Sequence, residues 1–486
     1  MFSLKRLFLK KTLDELLSES SEEGKSSLKR SLKVKDLITM GIGICIGSGI
    51  YVTAGMAAVG VGGNPPAGPA VVISFAVVGL ICILCALCYA EFAAMVPTSG
   101  SSYAYSYIVF GEYPAWIMGW NMLLEYMMAS VALAISWSGY FSSLCELIGL
   151  NIPPYLLTSY FNATSEVIDS APHILGISLV MNLPAVIITL SMIGILLKGM
   201  RQSANWNTFL VIAKLGIIFF LLVVGAFYVD PSNWTPFCPG GFAGIQGGAA
   251  FVFFAYIGFE AIATVAEETE NPERNLPLGL IWSLVICTVL YISVAIVVTG
   301  MVPYTALGTA QPMATAFQML NVNWAATVIS VGALVAMTAV IFVLLLSTPR
   351  ILYTMSRDGL LPERLADVHP QYRTPYFATV FNTVLMAVCA GFMDLGFMID
   401  LCNIGCLAIF IFVCAGIIIL RKTRPDLKRP FKTPFVPYVP LVAIAFCLYL
   451  AFGMPMRTWI GFLIWLVAVS VFYFAYGVKH SKLVNK

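Results

Sequence analysis

A succession of apolar runs, most of them long enough to cross a bilayer, limits this chain to one kind of fold. Of its 486 residues, 59% are hydrophobic and only 10% are charged, where a soluble domain carries about 25% charged residues. The runs are continuous rather than alternating, which calls for helices and not a barrel. Hydrophobicity and Gly/Pro breaks divide the chain into twelve spans. They lie at about 37–60, 69–95, 115–147, 177–197, 207–229, 247–267, 278–301, 325–354, 376–393, 399–420, 438–453 and 457–477. Span 3 is too long to stand upright and is expected to tilt.

The net charge of +3 says little, but the placement of the charges says more. With twelve spans both termini lie on one side. Every Lys and Arg except Arg457 and Lys214 then falls on that side or at its border, with six of them in the loop 421–432. Positive residues collect on the cytoplasmic side, so both termini are expected there. Residues 1–36 hold nine Lys or Arg and read as a basic amphipathic segment on the membrane surface. Residues 478–486 form a cytoplasmic tail.

One span is built against its own helix. Gly41 to Val52 reads GIGICIGSGIYV, with Gly41, Gly43, Gly47, Gly49 and Ser48 inside an apolar run. Glycine inside a helix costs roughly 0.8–1 kcal/mol relative to alanine, so four of them point to a break. Backbone freed by a break is tolerated at membrane depth only where it lines a cavity or binds something, and the second half-helix turns its positive end to anions. Close packing through Gly43 and Gly47, spaced four apart, is the other reading.

A second interruption follows five spans later. Span 6 reads GGAAFVFFAYIGFEAIATVAEE, with Gly258 at its middle and Glu260 two residues on. Spans 1 and 6 enter the membrane from opposite sides. If 37–229 and 247–420 are two halves of opposite orientation, the breaks correspond, and the pattern is that of an inverted repeat with a midplane site. Spans 11 and 12 (438–477) lie outside the repeat.

Intramembrane charge is expensive, roughly 2.5–3.5 kcal/mol on insertion scales, so each case needs a reason. Lys214 has no carboxylate in its own span and is expected to point into the bundle, toward backbone carbonyls or a carboxylate elsewhere. Burial disfavours a charged ammonium, which makes Lys214 a candidate proton carrier. A permanently charged structural lysine on helix-end carbonyls is the alternative. Glu125 in span 3 reads either as a buried carboxylate tied to a neighbouring helix or as a determinant for the substrate side chain. Glu260 reads as a cap on the second break or as part of the site. Glu91, near the cytoplasmic end of span 2, reads as a gate or loop anchor. His173, His369 and His480 all fall in loops or the tail, so no histidine relay crosses the membrane. The twelve cysteines show no metal spacing, and most sit in apolar runs as small hydrophobes. Cys145 and Cys238 share the predicted outer face, which leaves a disulfide open. Asn162 and Asn233 open glycosylation sequons on that face.

Three motifs together resemble a known family: GICIGSGIY (43–51), FFAYIGFEAIATVAEETENPERNLP (253–277) and SRDGLLP (356–362). With YAEFAAMVPTSGSSYAYSY (89–107) and RKTRPDLKRPFKTPFVP (421–437), the chain is similar over about 33–480 to the amino acid–polyamine–organocation superfamily, in particular its cationic amino acid transporter branch and bacterial relatives. The resemblance implies an all-α leucine-transporter-type fold, a 5+5 inverted repeat plus two helices. It implies that an amino acid carboxylate meets the amides of Ser48 and Gly49, with Gly47 adjacent. The amino group would meet carbonyls of Cys45, Ile46, Phe254, Ala255 and Ile257. Lys214 matches the span-5 lysine of proton-coupled members, and Glu125 a glutamate facing the site. Cys45 departs from the aliphatic residue frequent in bacterial relatives, and Glu260 stands where aspartate also occurs.

The expectation is therefore a proton-coupled symporter of α-amino acids in the cell membrane. It would work by alternating access around spans 1 and 6, with no metal or cofactor and the proton gradient as its drive. An exchanger of the same fold is the alternative, and a channel a more distant one. The absence of intramembrane histidine or a metal cluster argues against a membrane enzyme. The implied partners are the amino acid and the lipid bilayer, with no nucleic acid.

Overall fold

The computed structural model describes residues 7–11, 32–47, 49–96, 101–174, 177–197, 204–369 and 374–483, with backbone alone for 204–210 and 264–268. Ser48 and most of the predicted surface helix of 1–36 lie outside the described residues. Among the described residues, seven helices are long and apolar enough to cross a membrane: Gly68–Met95, Glu112–Leu147, Gly241–Ala263, Pro272–Met301, Asn323–Arg357, Leu395–Thr423 and Met456–His480. The pair Val34–Cys45 and Gly49–Val59, bent by 43° at its break, makes an eighth. Shorter apolar helices occupy spans 4, 5, 9 and 11: Leu183–Leu197, Ala204–Ala226, Tyr376–Phe392 and Tyr438–Phe452.

Span 4 starts later than its hydrophobicity implied. Residues Ile177–Ser178 pair antiparallel with His173–Ile174. The helix begins at Leu183, where Asn182 Oδ1 accepts from the Ala185 amide at 3.3 Å and Pro184 occupies the first turn. Proline suits that position because its missing N–H would be unpaired there anyway. Span 3 runs 36 residues, about 54 Å at 1.5 Å per residue, well beyond the bilayer core. It packs along spans 8 and 10, while span 7 packs along span 2 and the first half of span 1. At the start of span 3, Trp116 is fully buried and its indole N–H donates to Val469 O at 3.0 Å, tying span 12 to the bundle.

Both described ends of the chain lie on one face and share anchors there. Lys11 Nζ lies 2.9 Å from Asp358 Oδ1, and Tyr103 donates to Oδ2 of the same carboxylate at 2.7 Å. The Lys482 amide donates to Asp358 O at 3.1 Å, and the Glu112 amide to Leu9 O at 3.0 Å. Glu112 in turn accepts from Tyr473 at 2.9 Å and from Ser481. On the same face Glu91, fully buried at the end of span 2, accepts from Arg421 Nε at 3.0 Å and Nη2 at 2.6 Å, and from the Thr433 amide at 2.8 Å. Glu91 thus anchors the loop that follows span 10. On the opposite face Arg457 lies 3.5 Å from Asp394 and 3.8 Å from Asp400, and Asn162 donates to Asp394 at 2.6 Å. Cys145 and Cys238 are free thiols and do not pair; Cys238 donates to Gly241 O at 3.2 Å.

Removing one partner of a buried pair costs about 3–5 kcal/mol. Glu91→Ala is expected at the lower end of that range, because Arg421 keeps 26% of its exposure. Thermal denaturation of the purified variant in detergent checks this; a midpoint equal to wild type would remove Glu91 as the anchor of the 421–437 loop.

Candidate functional site

The site is built from backbone that two helices leave unpaired. The first half of span 1 ends at Cys45, and Ile46 (φ −78°, ψ 87°) leaves helical geometry. A continuous helix would send the Gly47 amide to Gly43 O. Instead that amide turns to Cys45 O at 3.0 Å, and Gly43 O loses its helical donor. The chain resumes at Gly49–Thr53 as a wider π turn, where the Thr53 hydroxyl donates to Gly49 O, and continues as α-helix to Val59. Span 6 runs as Gly241–Val252, tightens to 3-10 geometry over Phe253–Tyr256, and becomes extended at Ile257 (ψ 141°). It restarts at Phe259 after Gly258, whose φ of +100° is open mainly to glycine.

The two breaks meet. A Cβ at Gly49 would approach the Ala255 methyl to 2.9 Å and strike the Ala255 backbone, and one at Gly258 would strike Ile44. Glycine is therefore needed at Gly49 for close passage of the two chains. Gly47 faces Val340 and Leu133 of spans 8 and 3, so the interrupted segment also packs tightly through its small residues. Cys45, Ile46, Gly47, Gly49, Phe254, Ala255 and Ile257 all converge at this junction and are all buried. Ser48 lies outside the described residues.

Four carbonyls at the two breaks are met by side chains from other helices. Lys214, 3% exposed, donates from Nζ to Gly43 O at 3.0 Å, so the span-5 lysine reaches a carbonyl rather than a carboxylate. Tyr291 of span 7 places its hydroxyl 2.9 Å from Cys45 O and 2.7 Å from Ala255 O, one proton between two acceptors that close the two half-helices. Asn403 of span 10 donates to Ala250 O at 2.8 Å, where span 6 tightens. The Gly258 amide donates to Glu260 Oε2 at 3.1 Å, so Glu260 caps the restart of span 6.

Glu125 and Glu260 face one another within hydrogen-bonding reach, both buried. The remaining oxygen of each, Oε1, has no hydrogen-bond partner among the described residues. Sequence reasoning had singled out both glutamates without pairing them, and it missed Tyr291 and Asn403. Their available signal was a lone polar group in mid-span, weaker than a charge because a tyrosine or an asparagine crosses a bilayer at smaller cost.

Carbonyl ends of the first half-helices and amide ends of the second ones face the same point, so dipoles of both signs are present without a dedicated charged side chain.

Comparison with known proteins gives a consistent picture. A family described as amino acid permease matches residues 32–476. The methylthioribose transporter of Bacillus subtilis is 42% identical over 481 residues, 99% of both chains. The branched-chain amino acid permease BcaP of the same organism is 42% identical over 479 residues, 98% of this chain and 99% of its own. Cationic amino acid transporter 4 of Homo sapiens is 36% identical over 430 residues, 87% of this chain and 65% of that longer one.

Tyr291→Phe leaves Ala255 O without its donor and Cys45 O with the Gly47 amide alone. An orphaned group costs about 1–3 kcal/mol, so the variant should lose stability by that order, read as a lower denaturation midpoint in detergent. An unshifted midpoint would show that Cys45 O and Ala255 O do not depend on Tyr291.

Proposed function

This chain belongs to the amino acid permease family, and we propose that it is a proton-coupled symporter of α-amino acids. Its relatives are permeases and transporters by name, and it is a multi-pass membrane protein. In this reading the four shorter helices complete twelve crossings, spans 1–5 and 6–10 form the inverted repeat, and the basic face that carries both termini is cytoplasmic. The observation that carries the proposal is the contact from Lys214 to Gly43 O at 3.0 Å, an ionisable group on the carbonyl that the break sets free.

The substrate carboxylate would take the amides of Ser48 and Gly49. Its ammonium would take carbonyls of Ile46, Phe254 and Ile257, and those of Cys45 and Ala255 as Tyr291 yields them. Because Gly49 lies against Ala255, the substrate enters only as the half-helices part. A charged Lys214 holds the first half of span 1 against span 5, and loss of its proton weakens that hold. Two carboxyl groups in contact away from water favour one proton between them, so Glu125 and Glu260 supply a second proton station beside the junction. The side-chain pocket then decides which amino acids are carried, and a binding screen of the twenty amino acids reads that choice.

In proteoliposomes with an inward proton gradient, Lys214→Ala and Lys214→Met are expected to abolish accumulation. Wild-type accumulation by either variant would refute the role of Lys214. A wild-type protein that shows counterflow but never accumulates substrate would identify an exchanger instead. Gly49→Val is expected to weaken substrate binding by about tenfold or more, equivalent to 1.4 kcal/mol; undiminished affinity would count against the amides of this break as the carboxylate site.

A further inference from the structure

Between the carboxyl pair and the face that carries the termini runs a string of hydroxyl groups that the substrate site does not use. Tyr89 of span 2 is fully buried, and its hydroxyl lies 2.7 Å from Ser102 Oγ. Its ring stands edge-on to Phe259, centroids 6.0 Å apart, next to Glu260 in the chain. Tyr89 thus lies against the restart of span 6, the segment that carries Glu260. Ser102 opens the short helix Ser101–Val109, which links spans 2 and 3. One turn on, Tyr105 and Ser106 are 2% and 3% exposed, and their hydroxyls have no hydrogen-bond partner among the described residues.

Ser102, Tyr105 and Ser106 line a single small cavity of about 10 Å³. That is about the smallest space that holds one water molecule, and a water needs two or more polar partners. Three hydroxyl-bearing residues stand at its wall. The cavity is bounded by Phe110 and Phe412, each half-buried, which meet edge-on with centroids 5.5 Å apart beside the start of span 3. Buried hydroxyls without partners are rare and call for an explanation. Packing alone would be served as well by Phe and Ala at 105 and 106.

We propose that Tyr89, Ser102, Tyr105 and Ser106, with one water in this cavity, form the path by which the coupled proton leaves the Glu125–Glu260 pair for the cytoplasmic face. The inference rests on the symport reading above. In the transfer a carboxyl O–H gives its proton to Tyr89 Oη, the Tyr89 proton passes to Ser102 Oγ, and the Ser102 proton passes to the water. The water carries the excess proton out, each hydroxyl ends neutral, and the carboxyl is left ionised. No oxidant or further reactant is needed.

The test compares two rates in the same proteoliposomes: accumulation driven by a pH gradient, and counterflow, which requires no net proton release. Tyr89→Phe breaks the string and is expected to lower accumulation relative to counterflow by roughly a hundredfold. Ser106→Ala is expected to act in the same direction, and Ser102→Thr, which keeps a hydroxyl, to retain the wild-type ratio. A purely structural role of the Tyr89–Ser102 bond would lower both rates together, and that result would overturn the path. Undiminished accumulation by Tyr89→Phe would overturn it as well. A wild-type protein that exchanges without accumulating overturns the symport reading and the path together, whereas a wild type that accumulates and a Tyr89→Phe that does so equally overturn the path alone.

Discussion

The structure depends on what happens to the carbonyls at the ends of two interrupted helices. In a bilayer an unpaired backbone group costs several kcal/mol, because no water is at hand to replace the lost bond. Gly43 O and Ala255 O are therefore met by Lys214 and Tyr291 from spans 5 and 7, and Tyr291 also reaches Cys45 O, which keeps the Gly47 amide as its backbone donor. Each of these contacts crosses between helices, so the breaks tie the bundle together at the level where they would otherwise weaken it.

The same contacts hold the junction through side chains of neighbouring helices. A hydrogen bond inside a helix is fixed by the helix, but one supplied by a side chain from a neighbour lasts only while the two helices stay in register. Tyr291 bridges both half-helix ends with a single proton, and Gly49 rests on Ala255 with no side chain between. Movement of either half breaks few bonds and exposes groups of opposite polarity at one point. By contrast, the ends of the molecule are held by charge. Asp358 joins Lys11, Tyr103 and the Lys482 amide on one face, and Arg457 lies between Asp394 and Asp400 on the other. Such contacts tie the helices together at the two faces.

Much of this was legible in the residues. Helices stand at each of the twelve apolar runs, and both breaks fall where glycine clusters in mid-run, at Gly47–Gly49 and at Gly258. Lys214 was expected on a carbonyl or a carboxylate, and Glu260 as a cap or as part of the site; the carbonyl and the cap are what the structure shows. Glu91 was expected as a gate or loop anchor, and it anchors the loop. The start of span 4 was misplaced, because Ile177 and Ser178 belong by hydrophobicity to a span but by pairing to a strand. The contact of Glu125 with Glu260, and the part played by Tyr291 and Asn403, could not be found. Each joins residues on separate helices, from 36 to 246 positions apart, and no periodicity along the chain records such a pairing.

The sequence by itself determined that the chain crosses a bilayer many times, where two of its helices come apart, and which few ionisable groups are carried into the membrane. These follow from local composition: apolar length, glycine cost and the expense of a buried charge act within a single run. Only the tertiary structure decided which groups the exposed carbonyls would find, that Glu125 and Glu260 would be buried together, and that Tyr89 would meet Ser102 beside a small cavity. Those outcomes depend on how separate helices turn their faces to each other, and that is set by the packing of the whole bundle.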